Sequence, residues 1–220
     1  MFGRPRLQRR VAMRTSESTE SAKSTSKYAP TKSLRGGLTS YSSYPTLSTR
    51  RFRFRPFALT DIGPLAALVG EHRVAGMSIG IPHPYTMEFA RMWISSHSAE
   101  WEVRRALHWA ALRDGDDRIA GYAGLNNIDT ERGQAELRFW VGCGVERRRD
   151  AVEWSAAVVE FALTALNLNR IYALQLGRHP LAGRVLSDIG MQREGLVLNR
   201  IRKGGLVEDV VCWAIVRNDS

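Results

Sequence analysis

Three successive arginines, Arg147, Arg148 and Arg149, stand in the turn that the sequence predicts between an apolar strand pattern and a helix. Guanidinium groups present planar forks of donors that match phosphate oxygens. The N-terminus of a helix also favours anions, because its first N–H groups have no intrahelical partner. The spacing therefore indicates a phosphate-binding turn, and the alternative is a solvated basic turn without a ligand.

The net charge of +10 is concentrated in the first fifty residues. They contain ten Lys or Arg against two acidic residues, together with seventeen Ser or Thr and no apolar periodicity. A segment of this composition cannot bury enough apolar surface to offset the entropy of ordering. We therefore predict a disordered basic tail over residues 1–50 and a single domain over residues 51–220.

The composition of the tail also bears on the binding partners and the cellular location that we expect for this protein. Residues 51–220 carry a balance of only +2, so nucleic-acid binding is expected through the tail alone, if at all. Arg-rich, Ser-rich and acid-poor composition is typical of organelle transit peptides. We expect a cytoplasmic protein, with an organellar (mitochondrial) location as the alternative.

Neither metal nor membrane chemistry is indicated. Cys143 and Cys212 stand alone rather than in a C-x-x-C or Cys/His cluster, which argues against zinc and against a disulfide scaffold. We expect each to be a small buried or half-buried side chain. No window of about 18 apolar residues occurs, so no membrane span is predicted.

The elements that must position the arginines follow from periodicity. The order β, α, α, β, β, β, α, β, α, β, β predicts an α/β fold with a mixed, mainly antiparallel sheet, flanked by helices and containing one parallel crossover. The segments are 51–57, 60–70, 85–97, 107–125 as a hairpin, 134–142, 150–166, 170–176, 180–190 and 194–216 as a hairpin. For the helix at 150–166, the predicted buried face is Val152, Ala156, Val159 and Leu163.

This order and several local segments resemble the GNAT superfamily of acyl-CoA-dependent N-acetyltransferases, most closely the RimJ/RimL branch that acetylates protein N-terminal amines. The segments are RFRFRPFALTDIGPLAAL, PHPYTMEFARMWI, IAGYAGLNNID, AELRFWVG, NLNRIYALQL, RVLSDIGMQREGLVLN and GGLVEDVVCWAI. The resemblance covers residues 51–217. It implies a GNAT-like fold, acetyl-CoA as cosubstrate, and direct attack of a primary amine in a ternary complex, the amine belonging to a protein N-terminus or a small molecule.

The resemblance also implies where the coenzyme lies. The family's turn has the form Arg-Gly-x-Gly-Tyr-Ala-Thr-Glu-Ala, and here residues 146–154 carry arginine at both glycine positions. We expect arginine side chains to replace the backbone donors that glycines expose. We also expect backbone N–H groups around Trp140 to Gly142, where the central strand splays from the next strand, to polarise the thioester carbonyl. The expected coenzyme-binding residues are Trp140, Val141, Gly142, Arg147, Arg148, Arg149, Asp150 and Ala151.

Glu136 and His179 are the candidate catalytic residues. Glu136, in the AEL triplet of the central strand, is the expected base, and the alternative is an ion pair with Arg138 or Arg170. His179, ahead of Pro180 at a helix N-terminus, is expected to donate a proton or hold a phosphate, and the alternative is an exposed cap residue.

Several family side chains are absent. Where the family's helix begins Asn-x-x-Ser, this chain has His179, Pro180, Leu181 and Ala182. That loss supports the alternative function, a catalytically degenerate GNAT domain serving as a binding or regulatory module. The identity of the amine acceptor, and the choice between monomer and homodimer, stay open at the level of sequence.

Overall fold

The computed structural model describes residues 43–70, 74, 78–142 and 147–217. Its strands are β1 (Leu47–Ser48), β2 (Phe52–Pro56), β3 (Leu107–Arg113), β4 (Ile119–Asp129), β5 (Gln134–Val141), β6 (Arg170–Leu176), β7 (Gln192–Lys203) and β8 (Leu206–Val216). Its helices are α1 (Ile62–Gly70), α2 (Met87–Glu102), α3 (Arg147–Thr164) and α4 (Pro180–Asp188). The predicted order and the mixed α/β class are confirmed, with the short strand β1 added.

In the described part of the chain the strands form one sheet, in the order β1-β2-β3-β4-β5-β6-β8-β7. All neighbours are antiparallel except β5 and β6, which pair in parallel. A parallel pair needs a crossover connection, and α3 supplies it. The predicted crossover is therefore the one that joins β5 to β6.

Helices cover both faces of the sheet. On one face, α1 and α2 pack Leu65 and Ile94 against strands β3 to β5. On the other, α3 packs Trp154 and Phe161 against strands β2 to β6. The contact of α3 with β4 is close: a Cβ at Gly121 would come within 2.2 Å of the Trp154 ring, so only glycine fits there.

The structure corrects two predictions about α3. The helix begins at Arg147 rather than at Asp150, so the arginines form its first turn and not the turn before it. Its buried face is also displaced from the predicted one, since Val152 is half-buried whereas Trp154 is fully buried. The prediction was wrong because the large indole, which the aliphatic pattern left out, determines which side of the helix faces the sheet.

The folded domain also begins before residue 51. Leu47 is buried in the core, and β1 pairs with β2. Tyr44 Oη accepts the backbone N–H of His108 at 2.5 Å, and Trp109 Nε1 donates to the carbonyl oxygen of Pro45 at 2.7 Å. Residues 44–48 therefore satisfy buried polar groups of β3. The rest of the predicted tail, residues 1–42, lies outside the described residues.

Cys212 is half-buried, as predicted, whereas Cys143 lies outside the described residues. Among the residues that the structure covers, no three His, Cys, Asp or Glu side chains are grouped as metal ligands would be. No helix in those ranges has the length and apolar character needed to cross a membrane.

Candidate active site

The site is built where β5 and β6 part. The two strands pair only between Gln134–Glu136 and Arg170–Tyr172, although β5 continues to Val141 and β6 to Leu176. Each continues as a strand beyond that point and remains paired along its other edge, β5 with β4 and β6 with β8. A cavity of about 780 Å³ opens between the diverging strands and the first turn of α4.

The unpaired edge of β5 supplies backbone donors. Gly142 N–H is not one of them, because it donates to the carbonyl oxygen of Ala120 on β4 at 2.9 Å. Backbone groups of alternate residues in a strand point to opposite neighbours, so Trp140 shares this orientation and Val141 faces the open side. Of the three predicted backbone donors, Val141 is therefore the one directed towards the cleft, while Trp140 lines the cavity with its side chain.

Glu136 is buried, with 4 % exposure, and lines the cavity. Its two oxygens accept from Arg138 Nε at 2.8 Å and Nη2 at 2.9 Å, and Oε2 also accepts from Asn127 Nδ2 at 2.8 Å. The expected alternative, an ion pair with Arg138, is thus present, while Arg170 binds Glu194 instead. A carboxylate has about four acceptor positions, so three donors leave one for a substrate N–H.

A bulge in β4 places the amide beside Glu136. Asn127 has a φ of 49°, and the β4–β5 register shifts between Asn126 and Asp129. Tyr172, half-buried on β6, lies on the other side of this carboxylate, and burial followed by the Glu136 charge raises the pKa of its hydroxyl. Sequence reasoning missed Asn127, because a bulge that moves a side chain across a strand has no periodic signature.

His179 is at the N-cap position of α4 and lines the cavity. Burial, with the positive charge of Arg178 as a smaller cause, holds the pKa of its imidazole below the ordinary value. The ring is therefore mainly neutral at pH 7 and offers a hydrogen bond rather than a charge. The α4 backbone packs closely against the Gln175 side chain of β6 here, since a Cβ at Gly183 would come 2.7 Å from Gln175 Oε1.

The three arginines have different environments. Arg148 Nε donates to Asp188 Oδ2 at 2.7 Å, in an exposed ion pair that links α3 to α4. Arg149 borders a shallow groove beside that pair, and the Arg147 side chain lies outside the described part of the structure. The structure thus places two of the predicted phosphate ligands on one surface at the start of α3.

Asp150 and Ala151 differ in their relation to the cavity. Asp150 is completely buried and pairs with Arg51 at 2.6 Å and Arg113 at 3.2 Å. Its carboxylate thereby joins α3 to the β2–β3 region, and it is not among the residues that line the cavity. Ala151 does line the cavity, one residue further along the helix.

The other half of the cavity is apolar and comes from α2 and the segment before it. Met92, which is 54 % exposed, and Trp93 line the cavity together with Phe89. Burial raises the pKa of Tyr85 to about 12, so its hydroxyl stays neutral. Lys203 Nζ, from the β7–β8 hairpin, donates to the carbonyl oxygen of Ile81 at 2.6 Å and ties the hairpin to this wall.

A mainly antiparallel sheet with one splayed parallel pair, and a cavity at the point of divergence, defines the class of acetyltransferase folds that the sequence resembles. The Acetyltransferase (GNAT) domain family matches residues 51–192, and the chain belongs to this family.

Individual relatives are distant. The chain is 24 % identical over 174 residues to the uncharacterized N-acetyltransferase YoaA of Bacillus subtilis (strain 168), covering 79 % of this chain and 98 % of YoaA. RimL, a ribosomal L7/L12 alpha-N-protein acetyltransferase solved with coenzyme A, superposes with a TM-score of 0.70 at 15 % identity, covering 76 % of this chain and 95 % of its own. Mycobacterium smegmatis RimJ, solved with CoA-disulfide, gives 0.66 at 21 % identity, covering 75 % and 81 %. Both structural matches show the fold.

Proposed function

We propose that this protein transfers the acetyl group of acetyl-CoA to a primary amine by direct attack in a ternary complex. The observation that carries the proposal is the divergence of β5 from β6 after three paired residues, which leaves the Val141 edge unpaired beside the cavity. An extended amide chain such as pantetheine can bind that edge as a missing strand would. Oriented backbone donors polarise a carbonyl without needing a particular side chain, so this function survives the loss of the family's glycines.

The proposed acceptor is an amine on a largely apolar group, such as a protein N-terminus. Tyr85, Phe89, Met92 and Trp93 are an apolar part of the lining of the same cavity as Glu136. The ordinarily charged groups in the described lining, apart from His179, are Glu136, Arg138 and Arg178. Each arginine is paired with a carboxylate, Arg138 with Glu136 and Arg178 with Glu208, so the described lining offers a polyamine no unpaired carboxylate. An N-terminal amine also has a pKa of about 7.7–8.0, so it is easily deprotonated near neutrality.

The reaction requires two proton removals from the amine. An ammonium group loses one proton before attack, and the nitrogen loses a second as the tetrahedral intermediate collapses. The departing thiolate takes up one proton, so one proton is released to solvent in each turnover. We propose that Glu136, with one acceptor position left, accepts the proton of the intermediate, and that neutral His179 donates a hydrogen bond to the coenzyme.

The first test is stabilisation of the full chain by acetyl-CoA, followed by thiol release with N-terminal peptides, small amines and spermidine. Ligand at 1,000 times the dissociation constant should stabilise the protein by about 4 kcal/mol. Turnover should be fastest with peptides that begin with an apolar residue. Absence of stabilisation at millimolar acetyl-CoA would contradict the proposed function and support a degenerate binding module.

Glu136→Gln should lower turnover at neutral pH by about 100-fold, the lower end of the range for a positioned base. The loss should shrink as pH rises, because hydroxide and buffer then replace the carboxylate. Glu194→Gln is the matched control, since Glu194 also pairs with an arginine but is not in the cavity lining. A pH profile of Glu136→Gln parallel to that of the wild type would exclude the base role.

Variants of the exposed Arg148–Asp188 pair distinguish phosphate binding by Arg148 from a purely structural contact. If Arg148 binds coenzyme phosphate, Arg148→Ala should weaken acetyl-CoA binding by about 10-fold, the lower end expected for loss of a hydrogen bond to a charged group. Asp188→Ala should strengthen it, because Arg148 is then released from its acidic partner. Both effects should diminish with added salt. Equal affinities in titrations of both variants would make the arginine a surface residue only.

A further inference from the structure

A chain of hydrogen bonds leads from the cavity to the outer surface of α2. Asn126 Nδ2 donates to Tyr122 Oη at 3.1 Å, and Tyr122 Oη lies 3.0 Å from His108 Nδ1. His108 Nε2 lies 2.6 Å from Glu100 Oε2. Tyr122 and Asn126 line the cavity, whereas the Glu100 side chain is 39 % exposed on the outside.

The protonation of Glu100 determines which atom donates in each of these hydrogen bonds. The hydrogen bond from His108 holds the pKa of Glu100 below its ordinary value, so the carboxylate is ionised and only accepts. In a neutral imidazole, Nε2 then carries the proton and Nδ1 accepts from the Tyr122 hydroxyl. The Tyr122 oxygen is left with an acceptor position, and the residue borders the cavity.

Two local features around these hydrogen bonds are unfavourable for the segments that contain them. Glu100 stands in the last turn of α2, where the helix dipole disfavours a negative charge by about 0.3–1 kcal/mol. Gly124 is needed beneath the tyrosine, since a Cβ there would come 2.5 Å from Tyr122 Oη. Departures of this kind are expected at functional positions rather than in ordinary packing.

A second histidine provides an internal comparison. His97 stacks on His108 with ring centroids 4.1 Å apart, is 5 % exposed, and neither of its ring nitrogens has a hydrogen-bond partner within the described ranges. Burial, and then His108, lowers its pKa to about 2, so it stays neutral. His97 therefore packs against the chain without taking part in it.

We propose that Tyr122, His108 and Glu100 form a proton exit that carries the ammonium proton of the acceptor from the cavity to solvent. The inference rests on the proposed acetyltransferase function and gives a route to solvent for the proton that this reaction releases. The ammonium N–H bond breaks as a proton passes to Tyr122 Oη, whose own proton moves to His108 Nδ1. The Nε2 proton then passes to Glu100 and on to water, and rotation of the hydroxyl with tautomer exchange of the imidazole resets the chain.

The charged and titratable neighbours of this chain come from several elements. Arg105 lies near Glu100, and the Glu136–Arg138 pair acts on Tyr122 from β5. Tyr44 binds the His108 backbone, and burial raises the pKa of its hydroxyl. Burial likewise raises the pKa of Tyr122, so this hydroxyl conducts a proton without becoming a stable anion.

The test compares kcat/KM over pH for the full-length wild type and for Tyr122→Phe, His108→Gln and Glu100→Gln. At pH about 7, Tyr122→Phe and His108→Gln should each lower kcat/KM by about 10- to 100-fold. The double variant of Tyr122 and His108 should lose no more than either single variant, because the residues act as one unit. Above pH about 9, an amine with a pKa near 8 arrives neutral, so the loss should shrink to a few-fold. Stabilisation by acetyl-CoA should be unchanged in each variant.

His97→Phe is the control, since it keeps an aromatic ring against His108 and removes no member of the chain. It should retain the wild-type profile. A loss in Tyr122→Phe that is equal at every pH, or that multiplies with His108→Gln, would overturn the proton exit while leaving the acetyltransferase function intact. A wild type that neither binds acetyl-CoA nor turns over would overturn both.

Discussion

Replacement of Ala182 by tryptophan is expected to abolish acetyl-CoA binding by a folded protein. Ala182 is half-buried on the first turn of α4 and lines the cavity where β5 and β6 diverge. A tryptophan side chain presents about 150–250 Å² of surface, which is enough to occupy the space that pantetheine needs. Affinity should fall by more than about 100-fold, equivalent to roughly 2.7 kcal/mol, and stabilisation by millimolar ligand should disappear.

Ser187→Trp is the matched control, because Ser187 is exposed on the same helix and does not line the cavity. Unliganded Ser187→Trp should unfold within about 0.5 kcal/mol of the wild type, as surface changes usually do, and Ala182→Trp should stay folded because its new side chain enters an open cavity. Ser187→Trp should keep the full acetyl-CoA response. Undiminished stabilisation of Ala182→Trp would show that the coenzyme does not use this opening.

The second large effect is on folding. Asp150→Ala should lower the free energy of unfolding by about 3 kcal/mol, the lower end for removal of one partner from a buried ion pair, because Arg51 and Arg113 keep some solvent contact. Asp150 is fully buried, while the side chains of these arginines are 18 % and 43 % exposed. Urea denaturation, with an unchanged slope, is the measurement.

Two further variants test whether loss of the buried carboxylate charge causes this destabilisation. Asp150→Asn keeps the shape and some hydrogen bonds, so it should lie between the wild type and Asp150→Ala. Asp117→Ala removes a carboxylate whose side chain is 95 % exposed, and it should have little effect. If Asp150→Ala instead unfolds like the wild type but loses coenzyme affinity, the carboxylate belongs to the binding site, as its position in the sequence had suggested.

The local parts of the fold were predictable because their signals are local. Gly115, Gly190, Gly204 and Gly205 have positive φ angles, and they stand where glycine marked two hairpin turns and a helix end. The β5–α3–β6 crossover followed from one helical period between two strand patterns. Residues 44–48 were missed because β1 spans two residues and gains its order from contacts with β2 and β3.

The site was predictable in position more than in detail. Glu136 lines the cavity, but its bond to Asn127 depends on a bulge, and Arg148 faces Asp188 across forty residues of sequence. The Tyr122–His108 contact depends on the register of β3 against β4, which pairs Ala110 with Tyr122. His108 is two residues before Ala110 on β3, so its side chain lies on the same face of the sheet. No window of sequence contains that register.

The amino-acid sequence by itself determined the order of strands and helices, their turns and the GNAT family of this protein, since periodicity and turn chemistry act over a few residues. Tertiary structure alone decided which arginines are bound by acids, which face of α3 is buried, and which polar groups connect the cavity to the surface. Those choices depend on packing and register between distant segments, where a shift of one residue turns each side chain to the opposite face.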